Sequence, residues 1–314
     1  MKRRILICEE IAQEVKEFIL QSNIDIKYGS STNEENVIRE ISDCDAVLVR
    51  TLKITRDIIE HAPKLKVIAK HGVGCDSIDC VAAKEYGIPI VYTPGANAQS
   101  VAEHTISLML ACARSLRKAN IEYEKGNYYV KNQLDIQEIS GKKLGLVGCG
   151  NIAQKVAKIA KFGFDMDVMA YDKYNPQFPD YISKYEKLED LLAISDIVSV
   201  HIPGGEKNKN LFNYELFSLM KNSAIFINTA RGDIVNTTDL IFALENNQIY
   251  AAGLDVTEPE PIKCDSQLFK NPNIIVSPHI GATSKEAMIR MGMECIKGVN
   301  DVFDGVRPRN LYEE

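Results

Sequence analysis

The stretch Gly145-Leu146-Val147-Gly148-Cys149-Gly150-Asn151-Ile152-Ala153, answered nineteen residues later by Asp172, constrains the fold of this chain more than any other feature. It reads as a strand, a glycine turn, a helix start, and an acid at the end of the next strand. That order suits a dinucleotide. Gly148 permits the tight turn, Gly150 lets the backbone approach a pyrophosphate, and Ala153 is small enough for close helix–strand packing. Asn151 and Ile152 begin the helix, whose unpaired N–H groups can face phosphates. A glycine turn alone is a weak signal, but here the context fits on both sides. The Asp172 carboxylate can accept from the ribose 2′-hydroxyl of NAD and would repel the 2′-phosphate of NADP. Lys173, rather than an arginine, follows it.

The chain has 314 residues, enough for two domains. Its 37 Lys and Arg against 43 Asp and Glu leave a net charge of −6. A mildly acidic surface argues against nucleic acid or anionic membrane as the main partner. An anionic substrate must therefore be met by local cations. The eight cysteines include no C-x-x-C pair and no zinc-ligand spacing, so no metal site is expected. Buried free thiols in a reducing compartment are expected instead. The basic start Met1-Lys2-Arg3-Arg4 gives way too soon to Glu9 and Glu10 for a signal peptide. No run approaches the length of a membrane span. A cytoplasmic location is expected, with no regulatory tail after Glu314.

Apolar runs alternate with helical patterns in two series. In the first, strands are expected at Ile5–Cys8, Asp25–Tyr28, Ala46–Val49, Val67–Lys70 and Ile90–Tyr92, with helices at Ala12–Gln21, Asn33–Ser42 and Asp79–Tyr86. In the second, strands are expected at Leu144–Val147, Asp167–Tyr171, Ile197–Val200, Ala224–Asn228, Ala251–Asp255 and Ile274–Ser277. Helices fall between them, including Ile152–Phe162 and Thr238–Asn246. Such alternation predicts α/β architecture: two doubly wound parallel-sheet domains, one flavodoxin-like and one a Rossmann domain, with a cleft between them as the natural place for chemistry. Between the series, Ser100–Lys118 reads as one long helix with a Ser100–Glu103 capping box. Lys285–Asp301 reads as a helix that returns the chain to the first domain. The expected division is 1–99 with 286–314, for substrate, and 100–285, for NAD.

Three polar residues of the second series follow strands: Arg231 in Asn228-Thr229-Ala230-Arg231-Gly232, Glu260 between Pro259 and Pro261, and His279 in Ser277-Pro278-His279-Ile280-Gly281. Ligands of open α/β sheets bind beyond the carboxyl ends of strands, where all three are expected. Each alone has an ordinary explanation as a solvated loop residue. Together, beside a nicotinamide, they have a use. An arginine grips a carboxylate with its planar fork. A histidine exchanges a proton with a hydroxyl or carbonyl oxygen, and a glutamate that touches it raises its pKa.

The chain resembles the D-isomer-specific 2-hydroxyacid dehydrogenases over essentially its whole length. The resemblance is carried by Lys70-His71-Gly72-Val73-Gly74-Cys75-Asp76-Ser77-Ile78-Asp79, Thr93-Pro94-Gly95-Ala96-Asn97, Ala102-Glu103, the glycine motif, His201-Ile202-Pro203, the Arg231 segment, the Glu260 turn and the His279 segment. The spacings of 29 residues from Arg231 to Glu260 and 19 from Glu260 to His279 are those of that family's catalytic trio. The resemblance implies that Arg231 binds substrate, Glu260 assists, and His279 is the general acid/base. It implies that the Val73 and Gly74 N–H groups hold the substrate carboxylate and that Asp255 binds the nicotinamide carboxamide. His201 and Pro203 would line the adenosine site, with Thr229, Ala230 and Gly281 also at the cofactor.

Within the family the chain is most similar to 3-phosphoglycerate dehydrogenases and close relatives. Arg50 matches a phosphate-binding position. Lys70 stands where arginine is expected, and His71 where a small residue is usual. Two enzymatic readings follow, a phosphorylated substrate or an unphosphorylated 2-keto acid such as hydroxypyruvate or glyoxylate. A third reading is an NAD-sensing, corepressor-like binding protein. The resemblance also implies a homodimer formed through the Ser100–Lys118 helix and its neighbours.

Overall fold

Successive side chains of each apolar run point to opposite sheet faces, both of them buried, and the computed structural model, which describes residues 2–175 and 177–313, shows two parallel sheets built this way. The chain forms two units, Met1–Asn97 with Ala282–Glu314, and Ala98–Gly281.

The first unit contains β1 (Arg3–Ile7), β2 (Ile24–Tyr28), β3 (Ala46–Val49), β4 (Val67–Lys70) and β5 (Ile90–Val91), in the order β2-β1-β3-β4-β5. All pairings are parallel, and this order is that of flavodoxin-like folds. Leu6, Val47, Val49 and Ile68 face one core, while Ile5, Ile7, Leu48 and Ala69 face the other. Cys295, Ile296 and Val299 of the helix Lys285–Phe303 complete the second core. Side-chain caps start several helices where the sequence puts a short polar residue. Asp79 accepts from the Ala82 N–H, and Asn33 from the Glu35 N–H. Each cap is worth about 1 kcal/mol.

The second unit contains β6 (Lys143–Val147), β7 (Asp167–Tyr171), β8 (Ser183–Tyr185), β9 (Ile197–Val200), β10 (Ile225–Asn228), β11 (Ala251–Leu254) and β12 (Ile274–Val276). Their order is β12-β11-β10-β9-β6-β7-β8, again all parallel. The order reverses direction between β6 and β9, where ligands bind in doubly wound sheets. Leu144, Leu146, Ile225 and Ile227 pack under the helices Ala98–Ala113 and Asn151–Phe164. Val198, Val200 and Phe226 pack on the opposite face with Phe212 and Phe217.

Three expectations need correction. The Ser100–Lys118 helix is two helices, Ala98–Ala113 and Leu116–Glu124, because Ser115 takes a left-handed φ of 47° that breaks the ladder. Ser100 is not an N-cap either. It lies inside the first helix and its hydroxyl donates to the Gly281 carbonyl at 2.6 Å. All eight cysteines are free, and Cys264 is exposed rather than buried. No helix of the described residues is long and apolar enough to cross a membrane.

Candidate active site

Because every strand of the second sheet runs the same way, the segments after β6, β7, β9, β10, β11 and β12 emerge at one edge. Those segments carry Gly148 and Gly150, Asp172, His201 and Pro203, Arg231, Asp255, and His279 respectively.

Gly148 has φ +91°, and a Cβ there would sit 2.7 Å from the His201 carbonyl oxygen, so both backbone and space demand glycine. A Cβ on Gly150 would meet nothing within 4 Å. Gly150 is the N-cap of the helix Asn151–Phe164, and no side chain caps that end. A bare first turn beside open space is what a pyrophosphate requires. Ala153, on that helix, is fully buried.

Asp172 accepts the Cys149 N–H at 2.7 Å and the Tyr174 and Asn175 N–H groups at 2.9 Å. Burial works to raise its pKa, but these donors prevail and hold it below the usual carboxylate range. It is therefore a fixed anion at the end of β7, where a ribose would lie. His201 bonds through Nε2 to Ser199 Oγ at 2.9 Å, and burial depresses its pKa to about 3. Its neutral imidazole suits an adenosine wall. The donor set thus fits a dinucleotide.

The chemistry-bearing side chains lie further along the same edge. The Nδ1 of His279 is 2.6 Å from Glu260 Oε1. The hydrogen bond to Glu260 raises the His279 pKa against the opposing effect of burial, with the Glu260 and Asp255 charges adding and Arg231 subtracting. The guanidinium of Arg231 is thus within electrostatic reach of the imidazole. Its Nη1 also donates to the Ala230 carbonyl at 2.7 Å, and its aliphatic stem would collide with any side chain at Gly204. Asp255, only 2% exposed, accepts from Ser277 Oγ at 2.6 Å and from the Ile280 and Gly281 N–H groups at 2.9 and 2.7 Å. Thr229 Oγ1 is 2.9 Å from Thr105 Oγ1, and Ala230 donates its N–H to Asn228 Oδ1 at 3.0 Å.

The remaining candidates belong to the first unit. Val73 is exposed and Gly74 half-buried, and among the described residues their N–H groups donate to no other protein group. Arg50 follows β3, and its Nη1 donates to the Glu10 carbonyl at 3.0 Å. Lys70, 6% exposed, turns its ammonium inward to the Arg50 carbonyl and to Ser77 Oγ at 2.9 Å. Glu9 was not singled out in the sequence, yet its carboxylate takes the N–H groups of Arg50, Thr51 and Leu52 and the Thr51 hydroxyl. Burial works to raise the Glu9 pKa, but these donors hold it down. His104 was also missed, because its partners lie far from it in sequence. Its Nε2 lies 2.8 Å from Ser277 Oγ and 3.1 Å from Asp255 Oδ1.

Doubly wound sheets, a bare glycine-capped helix start and an ion-paired histidine at the same sheet edge define a pyridine-nucleotide dehydrogenase. Residues 106–281 match the NAD binding domain of the D-isomer specific 2-hydroxyacid dehydrogenases, and the chain belongs to that family. It is 40% identical over 269 residues to the hydroxypyruvate reductase of Thermotoga maritima, covering 85% of this chain and 87% of that one. It is 34% identical over 310 residues to the D-3-phosphoglycerate dehydrogenase of Archaeoglobus fulgidus, covering 98% of this chain and 58% of that protein. The chain thus spans under three fifths of the latter's length. The structure of a D-lactate dehydrogenase with NAD+ from Lactobacillus jensenii is similar at a TM-score of 0.83 and 26% identity, over 99% of this chain and all of that one. The protein is an NAD(P)-dependent oxidoreductase of 2-hydroxy acids.

Proposed function

We propose that this enzyme interconverts a small, unphosphorylated D-2-hydroxy acid and its 2-keto acid, with hydroxypyruvate as the preferred keto substrate, and uses NAD in preference to NADP. The observation that carries the substrate reading is the inward turn of Lys70. An ammonium committed to the Arg50 carbonyl and Ser77 is not offered to a phosphate, and the Arg50 guanidinium is partly engaged by Glu10. A 3-phosphorylated substrate is the second reading, favoured by the 34% identity to a phosphoglycerate dehydrogenase. The Asp172 anion supports NAD over NADP.

When bound, the nicotinamide supplies or accepts the hydride at C2. In reduction, His279 gives a proton from Nε2 to the carbonyl oxygen while Glu260 holds Nδ1–H and stabilises the imidazolium. In oxidation the neutral imidazole takes the hydroxyl proton. Arg231 pairs with the substrate carboxylate. In the first unit, the N–H groups of Val73 and Gly74 have no protein acceptor among the described residues, and the family resemblance gives them to a substrate carboxylate. Asp255 is the acceptor for the carboxamide.

The enzyme acts in the cytoplasm as a homodimer. Tyr123, Tyr128 and Tyr129 are 64%, 55% and 70% exposed on and after the helix Leu116–Glu124, a concentration of aromatic surface that suits a second copy. Sedimentation showing only monomer would remove the dimer.

The test of the substrate is kcat/KM for hydroxypyruvate against 3-phosphohydroxypyruvate with NADH. A preference of tenfold or more for hydroxypyruvate is expected. A preference for the phosphorylated acid would install the second reading, and turnover of no 2-keto acid would favour a binding protein.

A further inference from the structure

His279 holds a left-handed φ of 54°, a conformation that side chains other than glycine rarely adopt without support. The turn around it is tied to one buried carboxylate. The Asp255 carbonyl accepts the His279 N–H at 2.9 Å, and its side chain accepts the Ile280 and Gly281 N–H groups and the Ser277 hydroxyl. Ser277 and Asp255 in turn meet His104, whose Nε2 lies 2.8 Å from Ser277 Oγ and 3.1 Å from Asp255 Oδ1.

We propose that His104 is a positioning residue for proton transfer: with Ser100, one helical turn away, it clamps the turn that carries His279 onto the helix Ala98–Ala113. The proposal rests on the reading of His279 as the acid/base. Ser100 and His104 are four apart and so share a helix face. The Ser100 hydroxyl takes the Gly281 carbonyl at 2.6 Å, so the clamp grips both ends of the segment 277–281. There is no slack in it. A Cβ at Gly281 would lie 2.9 Å from Asp255 Oδ2 and 3.6 Å from the His104 ring. The neighbouring Thr105 reaches Thr229, two residues before Arg231, so the same helix also steadies the segment of the arginine.

The clamp fixes the Glu260–His279 pair through backbone geometry. A buried carboxylate that loses a donor becomes costly and relaxes toward other partners, and the turn it organises relaxes with it. The charged groups acting on His279 are Glu260, Asp255 and Arg231. A displaced turn weakens the Glu260 contact, because that bond joins the imidazole to a segment outside the clamped turn.

The experiment compares His104→Leu, His104→Gln and His279→Ala with the parent enzyme, by pH profiles of kcat/KM for hydroxypyruvate reduction. In His104→Leu we expect kcat to fall by about tenfold, the equivalent of one lost hydrogen bond, and the alkaline limb to move to lower pH. His104→Gln, which keeps an N–H donor of similar reach, should recover the parent limb and most of the rate. Ser277→Ala removes the bridging hydroxyl without touching the helix. It should shift the limb the same way, and adding His104→Leu to it should shift the limb little further. A leucine variant with the parent profile, or a glutamine variant as impaired as leucine, would overturn the clamp. An alkaline limb that survives in His279→Ala would instead remove the acid/base reading on which the clamp depends.

Discussion

Oε1 of Glu260 lies 2.6 Å from Nδ1 of His279, so the imidazole is held at one nitrogen by a carboxylate, and the proposed proton transfer falls to the other. The bond raises the His279 pKa from its ordinary value, against the effect of burial. The protonated form is therefore retained to higher pH than in a free histidine. Reduction needs that form. Its kcat/KM should be level at low pH and fall as pH rises through the raised pKa, while oxidation should rise over the same interval. The Glu260→Gln enzyme loses the carboxylate charge, so both limbs should move to lower pH. Rate profiles in each direction check this; unmoved limbs would separate Glu260 from the titration. The same sign holds for stability. What the pair contributes is fully present below the unfolded histidine pKa and is lost as pH rises through the folded one.

Gly148→Ala should be one of the most damaging single changes at the cofactor site. It adds a Cβ 2.7 Å from the His201 carbonyl oxygen at a residue with φ +91°. The left-handed strain alone costs roughly 1–2 kcal/mol, and the backbone collision adds to it. NADH affinity measured by fluorescence should fall by at least about tenfold, since 1.4 kcal/mol is a factor of ten. Gly150→Ala meets no protein atom, so its folded stability should be near that of the parent while cofactor affinity falls.

Asp172→Ala removes the anion from the end of β7 and leaves the Cys149, Tyr174 and Asn175 N–H groups without their acceptor. NADH binding should weaken, and discrimination against NADPH should shrink because the repulsion of the 2′-phosphate is gone. Titration of both cofactors checks it. An unchanged NADH to NADPH ratio would contradict the role.

Phe226→Ala tests the scaffold rather than the chemistry. Phe226 is fully buried, its ring centroid 4.9 Å from that of Phe212 and 5.2 Å from that of Phe217. Removing it should cost about 3–5 kcal/mol, visible as a lowered Tm in thermal denaturation.

Strands were readable wherever apolar residues ran unbroken, because a parallel strand covered on both faces has no polar alternation to confuse it. Edge strand β8 was not readable. Ser183-Lys184-Tyr185 carries no apolar run, and its first two residues are exposed. The helix break at Ser115 left no local signal, since neither glycine nor proline marks it and its φ is 47°; its Oγ meets the Tyr250 hydroxyl, 135 positions away. The same holds at the site. Arg231, Glu260 and His279 could be proposed from the sequence because each follows a strand, and parallel strands emerge at one edge. His104 and Glu9 could not, because what they do depends on partners distant in sequence: Asp255 is 151 positions from His104, and Arg50 is 41 from Glu9. Ser100 was misread for the same reason. Its Ser-x-x-Glu spacing fits a cap, yet its hydroxyl is used 181 positions away.

The most direct test of the account is single-turnover reduction of hydroxypyruvate by the His279→Ala enzyme preloaded with NADH. A rate about 10²–10⁴-fold below the parent, with NADH still bound, is the result expected of a lost general acid. A rate within about threefold of the parent would show that the proton comes from elsewhere and would contradict the account at its centre.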